Sequence, residues 1–137
     1  MRLYRLAADQ GFAFAQTNLG NCYYHGKGIP RDFEEAVRLY RLAAVQGNAQ
    51  AQTNLGICYY QSQGVPQNFE ETVRLFRLAA DQGNAEAQSN LGFCYYHGKG
   101  VPQNFAEAMR LYQLAADQGC LEAQQLVNYC ANRHEIE

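Results

Sequence analysis

Residues 13–24 of the chain read Ala13-Phe14-Ala15-Gln16-Thr17-Asn18-Leu19-Gly20-Asn21-Cys22-Tyr23-Tyr24. Closely similar runs follow at residues 49–60 and 85–96, each of them 36 residues after the one before. Across the three whole copies of the repeat, 20 of the 36 positions are identical. A period of this length is typical of supersecondary units that cannot bury their apolar faces alone and therefore stack. We predict an array of such units.

The repeat divides the chain of 137 residues into segments that we predict to form a single solenoid domain. In chain order these are a partial repeat, three whole repeats and a second partial repeat: residues 1–11, 12–47, 48–83, 84–119 and 120–137. The first segment holds only the second helix of its repeat. The last holds only a first helix, and its polar end is predicted to serve as a C-terminal capping helix.

Each whole repeat is predicted to form two helices, helix A and helix B, separated by a loop rich in glycine and proline. In the second repeat Asn48 is suited to cap helix A, and residues 61–67 form the loop. Asn68 is suited to cap helix B, with Glu71 completing a capping box. The same box occurs as Asp32 with Glu35 and as Asn104 with Glu107. The pattern predicts an all-α, α/α solenoid of helix-turn-helix repeats with about seven helices.

A glycine lies in the middle of each predicted helix A, at positions 20, 56 and 92. Glycine in a helix interior costs roughly 1 kcal/mol relative to alanine. Because the same cost recurs three times, we expect a neighbouring helix to approach each glycine closely.

The last whole repeat shows the consensus most fully, in Ala85, Ala87, Leu91, Gly92, Tyr95, Gly98, Gly100, Val101, Pro102, Ala108, Tyr112, Ala115, Ala116 and Gly119. This pattern resembles the Sel-one-like repeats (SLR), a branch of the tetratricopeptide-like superfamily. The resemblance covers nearly the whole chain and implies a right-handed superhelix that serves as an adaptor or scaffold. Members take part in bacterial signalling and host interaction, or in protein quality control in the endoplasmic reticulum. Two departures are Gln-Ser-Gln at residues 61–63 and Asn128 in place of glycine.

The positions of helix A that vary between copies form one stripe, and the recurring Tyr24 falls on it. In tetratricopeptide repeats the matching stripe lines the concave groove, so the resemblance implies a partner-binding surface there. The candidate residues are Phe14, Asn21, Tyr24, His25, Gln50, Thr53, Ile57, Tyr60, Glu86, Ser89, Phe93, Tyr96, His97 and Tyr129. Aromatic anchors among polar neighbours are the usual composition of a recognition surface. The alternative is that the recurring tyrosines pack one helix A against the next.

The charge balance bears on the kind of partner. Lys and Arg number 11 and Asp and Glu 13, whereas nucleic-acid-binding domains normally carry a basic excess. Seven of the nine arginines fall on helix B. There Glu34 with Arg38, and Glu70 with Arg74, have the spacing of helical ion pairs on a solvated face. An RNA-reading helical repeat is the rival interpretation, which the glutamates disfavour. No apolar run is long enough to span a bilayer. We predict a protein or peptide partner, and neither nucleic acid nor a membrane.

Candidate catalytic and metal motifs are incomplete. Cys22 with His25, and Cys94 with His97, each offer half of a zinc site, but they lie two repeats apart. The Gly-Lys-Gly runs at residues 26–28 and 98–100 are better interpreted as helix terminators than as phosphate loops. We therefore predict a non-catalytic protein with no metal and no cofactor.

The chain begins inside a helix B, whose Leu3, Tyr4 and Leu6 have a stacking partner on one side only. Either residues upstream are absent, or this face pairs with another copy as a homo-oligomer. The alternative function is accordingly a structural fragment of a longer array that self-associates through its N-terminal half-repeat.

Four of the five cysteines, at positions 22, 58, 94 and 130, occupy one recurring place on helix A. We predict that they are small buried apolar residues, too far apart for disulfides. Cys120 is out of register and remains the candidate reactive thiol. Unpaired cysteines and the lack of a signal-peptide h-region favour a reducing intracellular compartment.

Overall fold

The structure is a computed structural model and describes residues 2–134. Its eight helices in that range are α1 (Arg2–Asp9), α2 (Ala13–His25), α3 (Phe33–Ala44), α4 (Ala49–Gln61), α5 (Phe69–Asp81), α6 (Ala85–His97), α7 (Phe105–Asp117) and α8 (Leu121–His134). The expected number of about seven was low by one, because one helix in each partial repeat and two in each whole repeat make eight. Even-numbered helices are the predicted helices A and odd-numbered ones the helices B. None of the helices in the described range is long and apolar enough to cross a bilayer.

The chain divides into two compact units, Met1–Asn68 with α1 to α4 and Phe69–Glu137 with α5 to α8. Within each unit, helices that follow one another in the chain pack together. The assignment of residues 1–137 to a single domain stays a prediction. Part of the predicted polar capping end, residues 135–137, lies outside the described range.

The asparagine caps of helix A are confirmed. The Asn48 side chain accepts a hydrogen bond from the Ala51 amide at 2.8 Å, and Asn84 accepts one from Ala87 at 2.8 Å. Each cap satisfies an amide that the helix itself leaves unpaired. Helices α4 and α6 therefore begin directly after these asparagines.

The capping boxes of helix B form only by half. The Asp32 side chain accepts from the Glu35 amide at 3.1 Å, as predicted. The Asp32 amide, however, donates to the Tyr23 carbonyl across the loop at 2.9 Å, and so is not free for the Glu35 carboxylate. That carboxylate accepts from Arg38 Nε at 2.9 Å instead. A backbone bond across the loop thus takes the place of the second half of the capping box.

The spacing predicted for the ion pairs was wrong by one residue. Arg38, Arg74 and Arg110 each pair with the glutamate three residues before, which is Glu35, Glu71 or Glu107. The glutamate side chain of a complete capping box would accept a hydrogen bond from the backbone amide of the capping residue. Because that bond is missing, the carboxylate is available to the arginine one turn further along the helix. Glu34 lies exposed.

The close approach expected at the mid-helix glycines is confirmed at Gly20 and Gly92. A Cβ built at Gly20 would lie 2.7 Å from the nearest ring carbon of Tyr40, and one at Gly92 would lie 2.8 Å from that of Tyr112. Real side chains do not tolerate such distances. In these two hairpins the glycine lets the tyrosine ring of helix B pack directly on the backbone of helix A. At Gly56 the close approach stays a prediction.

Two polar contacts join a helix B to the helix A that follows it. The first is the arginine–tyrosine contact, which recurs as Arg5 with Tyr23, Arg41 with Tyr59 and Arg77 with Tyr95, at 3.3, 3.1 and 2.5 Å. The second is the glutamine–carbonyl bond, in which buried Gln16, Gln52 and Gln88 donate to the carbonyls of Ala8, Ala44 and Ala80 at 3.2–3.3 Å. Most arginines on helix B therefore have intramolecular partners.

The α7–α8 junction departs from this pattern. Gln113 and Ala131 replace the arginine and the tyrosine, and Gln113 bonds Asp117 within its own helix at 2.8 Å. Gln124 takes the place of Gln88, but it is exposed and bonds Asn128 at 3.2 Å within α8. In the described range this junction has neither polar contact, and an apolar cluster around Tyr112 and Cys130 joins the two helices.

Candidate functional site

In the second unit, the predicted stripe forms an aromatic patch. We define the patch as Phe93, Tyr96 and His97 of α6 with Tyr129 and Arg133 of α8. The rings of Phe93 and His97 have their centroids 4.3 Å apart, and those of Tyr96 and Tyr129 lie 6.4 Å apart. The Arg133 guanidinium lies 5.6 Å from the centroid of the Tyr129 ring. Offset and tilted rings at such distances attract one another and the cation.

The aromatic patch is open to solvent. Phe93 is 40% exposed and Tyr129 is 47% exposed, while His97 and Arg133 are also exposed. Tyr96 is half-buried and makes an edge contact with Phe105 at 5.1 Å. Tyr96 therefore contacts helix B through Phe105 and the following helix A through Tyr129, and its role in binding a partner stays a prediction.

Buried Tyr112 lies beneath the aromatic patch, at 1% exposure. It packs in one cluster with Ala108 and Cys130, against half-buried Tyr96 and Leu126. Burial raises the pKa of the Tyr112 phenol above its usual range, with smaller contributions from neighbours that include Cys130 and Tyr96. The phenol is therefore protonated at neutral pH.

In the first unit, the stripe carries a polar network. Asn21 accepts hydrogen bonds from the Tyr40 hydroxyl at 2.6 Å and from Asn54 Nδ2 at 3.0 Å. Gln50, which is exposed, donates to Asn54 Oδ1 at 2.9 Å. Ile57 is half-buried. The amides hold one another in place, and the surface is less apolar than the aromatic patch.

The two ends of this first-unit stripe differ. Phe14 is 70% exposed near the start of α2, and His25 is exposed at its end. Tyr24 is half-buried, and its hydroxyl donates to Gln63 Oε1 at 2.7 Å. Burial raises the pKa of Tyr24. Tyr60 is half-buried as well, so both tyrosines combine packing with partial exposure.

Two predicted contact residues are wrong. Thr53 is fully buried and Ser89 is 8% exposed, so neither can meet a partner in the folded protein. The Thr53 hydroxyl donates to the Ala49 carbonyl at 2.9 Å, which satisfies it inside its own helix. Small hydroxyl residues can exchange at such a site because they need no outside partner. Variation between copies was mistaken for surface exposure. Glu86, by contrast, is exposed.

The residues predicted to self-associate are exposed. Leu3 is 79%, Tyr4 39% and Leu6 52% exposed on α1. Leu39, the repeat equivalent of Leu3, is 2% exposed. Solvent therefore reaches Leu3 and Tyr4, whose equivalents Leu39 and Tyr40 are buried. Leu42, the equivalent of Leu6, is itself 40% exposed.

The cysteines divide by burial. Cys58, Cys94 and Cys130 are buried as predicted, and burial raises the pKa of the Cys58 thiol to about 12 and that of Cys94 to about 11. Cys22 is only half-buried, contrary to the prediction. Cys120 is half-buried next to the start of α8.

Sequence reasoning missed part of the aromatic patch and a second surface. Arg133 could have been predicted from the sequence, since it lies one helical turn after Tyr129 on α8 and therefore on the same face. In the first unit, a cleft of about 480 Å³ lies beside α3 and includes Leu42, Val45 and Val65 among its lining residues. Val45 is 80% exposed there. It faces the helix-B side, where the recurring charged residues had suggested only a solvated surface.

Stacked helix pairs with an exposed aromatic patch define a helical repeat protein of the α/α class. Four matches to the Sel1 repeat family cover residues 1–12, 13–48, 49–84 and 85–120. The chain belongs to the Sel1 repeat family, and its fold is an all-α repeat solenoid. Sel1 repeat proteins generally mediate protein–protein interaction, and scaffolds of this family are generally non-catalytic.

Solved structures with the same fold come from several bacteria. The chain is 39% identical to c5321, a protective antigen of uropathogenic Escherichia coli strains with an SLR fold, at a TM-score of 0.91 over 95% of this chain and 28% of that one. It is 37% identical to a Sel1 repeat protein from Oxalobacter formigenes, at a TM-score of 0.85 over 94% and 53%. Helicobacter pylori cysteine rich protein B shares the fold at 18% identity and a TM-score of 0.72, over 91% and 90%.

Curated relatives match over a single repeat. DAP3-binding cell death enhancer 1 is 50% identical in Rattus norvegicus and 47% in Mus musculus, over 34 residues that are 25% of this chain. The match spans only 7% of those proteins' length.

Proposed function

We propose that this protein is a non-catalytic scaffold that binds a peptide or protein segment on the exposed face of its helices A. The aromatic patch is the centre of that surface in the second unit. The observation that carries the proposal is the exposure of Phe93 and Tyr129 at 40% and 47%, beside a cation and a histidine. Aromatic residues and arginine are enriched at the energetically dominant points of protein interfaces.

The first unit carries a more polar face on its own helices A. The residues on this face are Phe14, Asn21, Tyr24, His25, Gln50, Ile57 and Tyr60. Adaptable amides around a few apolar side chains suit a partner's backbone, because they offer both donors and acceptors. The name of the mammalian relative, which is that of a DAP3-binding protein, agrees with a protein as the kind of partner.

The test is to pan a phage-displayed library of random peptides against the immobilised protein. Selected peptides are then titrated with the wild type and with the double variant Phe93→Ala/Tyr129→Ala. We expect the double variant to lose tenfold or more in affinity, since interface hot spots cost about 2 kcal/mol or more when truncated. Leu114→Ala, which truncates a half-exposed side chain on helix B, should bind as the wild type does.

Circular dichroism melts of all variants keep folding separate from binding. If the double variant is folded and binds the selected peptides with wild-type affinity, the proposal for the aromatic patch is wrong.

The second candidate function is self-association through Leu3, Tyr4 and Leu6. The exposure of Leu3 at 79%, against 2% for its equivalent Leu39, favours it. Sedimentation equilibrium of the wild type and of Leu3→Ser/Leu6→Ser is the test. A concentration-dependent mass that the substitutions abolish would support this function, and a monomer at all concentrations would refute it.

A further inference from the structure

Two carboxylates lie on one side of the aromatic patch. Glu86 and Glu122 are repeat equivalents in the first turns of α6 and α8, and both residues are exposed. Each lies seven residues before an aromatic residue of the patch, Phe93 or Tyr129, and residues at this spacing share one face of a helix. At a rise of about 1.5 Å per residue, the two glutamates begin about 10 Å from these aromatic residues along the helices. We define Glu86 and Glu122 as the acidic end.

The opposite side of the patch is basic. Arg133 follows Tyr129 by four residues, and His97 follows Phe93 by the same spacing, so both lie about 6 Å further along the same face. The Arg133 guanidinium lies over the Tyr129 ring and forms no ion pair with a residue of the described range. His97 is exposed and offers a ring N–H donor. We define His97 and Arg133 as the basic end.

The two ends stay separate because of the repeat. Helices α6 and α8 are the same helix of successive repeats and therefore run in the same direction. Both glutamates consequently lie at one end of the exposed face, and both basic residues lie at the other, with the rings of Phe93 and Tyr129 between them. The face is therefore bipolar along the helix direction.

The charges at both ends act on phenols of this unit. Burial is the main cause that raises the pKa of Tyr112, and the Glu122 carboxylate raises it further. Burial also raises the pKa of Tyr96, whereas the Arg133 charge acts in the opposite sense and lowers it. The electric field of the acidic end and that of the basic end thus both extend to the middle of the surface.

The equivalent face of the first unit carries neither carboxylates nor an arginine at these positions. The residues there are Phe14, Gln50, His25 and Gln61. A carboxylate near the start of a helix and a cation near its end also favour the helix itself. Because α2 and α4 form helices of the same length as α6 without this set of charges, helix formation does not require them. The bipolar pattern is specific to the surface that holds the aromatic patch.

We propose that the aromatic patch binds a peptide segment with charges of opposite sign on the two sides of an apolar anchor residue. The anchor packs on Phe93 and Tyr129, a carboxylate of the segment pairs with the basic end, and a lysine or arginine pairs with the acidic end. In an extended segment, at about 3.3 Å per residue, the carboxylate lies about two residues from the anchor and the cation about three residues on the other side. This inference rests on the proposed function of the aromatic patch and names the class of partner.

The experiment uses those phage-displayed peptides that bind the wild type and lose affinity for Phe93→Ala/Tyr129→Ala, so that each of them depends on the patch. For each one, a charge-swapped peptide is synthesised in which acidic residues become lysine and basic residues become glutamate. Both peptides are titrated by calorimetry against the wild type and against Glu122→Lys/Arg133→Glu, which reverses the two ends at constant net charge.

The matched control is Lys27→Glu/Asp81→Lys. It makes the same exchange of charges at two exposed residues outside the patch, also at constant net charge. Both kinds of peptide should bind it as they bind the wild type.

We expect the selected peptides to carry an acidic and a basic residue on opposite sides of the anchor. Glu122→Lys/Arg133→Glu should weaken them roughly tenfold, because attraction becomes repulsion at two exposed charge pairs. The same variant should bind the charge-swapped peptides more tightly than the wild type does. These differences should shrink in about 0.5 M sodium chloride, since salt screens exposed charges.

The reversed charges disfavour the two ends of α8, so neutral variants are needed as well. Glu122→Gln and Arg133→Gln should each weaken the selected peptides roughly two- to threefold, as for the loss of one exposed charge pair. Circular dichroism verifies that the helix content of every variant matches that of the wild type.

Two results would overturn the inference. The first is a set of patch-dependent peptides without this order of charges, and the second is wild-type affinity for them in the folded Glu122→Lys/Arg133→Glu variant. In either case the patch binds by apolar contact alone, and the proposed function stands. The absence of any peptide that depends on Phe93 and Tyr129 would instead contradict the proposed function itself.

Discussion

The ring of Tyr112 packs on the backbone of Gly92, so closely that a Cβ at position 92 would lie 2.8 Å from two ring carbons. Gly92→Ala should therefore destabilise the protein by about 1–3 kcal/mol, as overpacking of a core does, despite the better helix propensity of alanine. Urea unfolding followed by circular dichroism measures the change.

Asn128 offers the matched control for Gly92→Ala. It occupies the equivalent position on α8, where its side chain is exposed. Asn128→Ala should be close to neutral, since it gains up to about 0.7 kcal/mol of helix propensity and loses one exposed hydrogen bond from Gln124. Equal changes in the free energy of unfolding at the two positions would show that contact with the Tyr112 ring is not what makes Gly92→Ala destabilising.

The α7–α8 junction lacks the arginine–tyrosine contact that Arg77 makes with Tyr95 at 2.5 Å. Restoring it with Gln113→Arg/Ala131→Tyr should stabilise α8 by about 0.5–1 kcal/mol, through one hydrogen bond and a cation–π contact. Hydrogen exchange measures this as slower exchange of the α8 amides. Because each new residue alone has no partner, the stabilisation of α8 by the two single variants should add up to less than that by the double variant.

The reverse change provides the control at the α5–α6 junction. Arg77→Gln should speed hydrogen exchange in α6 and leave α8 unaffected. If the α8 amides of the double variant exchange as fast as those of the single variants, placing an arginine and a tyrosine at these positions is not enough to form the contact.

The thiols should differ in reactivity by position. Cys58, Cys94 and Cys130 are at most 1% exposed, and burial raises the pKa of each thiol. In the native protein, iodoacetamide should label Cys120 and half-buried Cys22 first and reach the other three only after unfolding. Peptide mass spectrometry reads out each site. Labelling of Cys94 as fast as that of Cys120 would contradict the buried assignment.

The Glu107–Arg110 pair should make a small, pH-dependent contribution to stability. The Arg110 hydrogen bond holds the pKa of Glu107 below its usual value. Because the folded-state pKa is lowered, the stabilisation is complete above the unfolded pKa of about 4.3 and is lost as the pH falls through the folded pKa. The Arg110 side chain is 58% exposed, so screening limits the contribution to about 0.3–0.5 kcal/mol.

Glu107→Gln tests this dependence. Its free energy of unfolding should fall below that of the wild type at pH 7 and equal it in acid, as measured by urea titration at several pH values. This repeat has Ala106 where the first whole repeat has the exposed Glu34. The control is therefore Glu34→Gln, which removes a carboxylate four residues before Arg38 and should change little. A difference that persists in acid would mean that the carboxylate charge is not its source.

Much of the fold was predictable because the same sequence pattern occurs in several copies. Asparagine at two of the four helix-A starts, glycine in the middle of three helices A and apolar residues at helical spacing recur together, and the cap predicted at Asn48 is formed, as is that at Asn84. The partner of Arg38 was not predictable from spacing. It depends on the Asp32 amide, which donates to the distant Tyr23 carbonyl and so releases the Glu35 carboxylate.

The candidate site was predictable only as a stripe. Helical spacing placed Phe93 and Tyr129 on the correct face, since period alone determines which side chains share a side of a helix. It could not separate exposed members from Thr53 and Ser89, because a small hydroxyl that bonds its own helix tolerates burial. The neighbours of Tyr112 were equally hidden, since they come from two different helices A.

From the amino-acid order alone follow the repeat, its helices, their caps and the glycines at the crossings, because each depends on residues near in sequence or on a fixed period. Packing in three dimensions settled which glutamate each arginine binds and which cysteines are buried. The first depends on a backbone bond that spans the loop within one repeat, and the second on helices of neighbouring repeats that pack together. Phe93, where the first whole repeat has Asn21, cannot accept the hydrogen bond that Asn21 takes from Tyr40, although the helical pattern is the same.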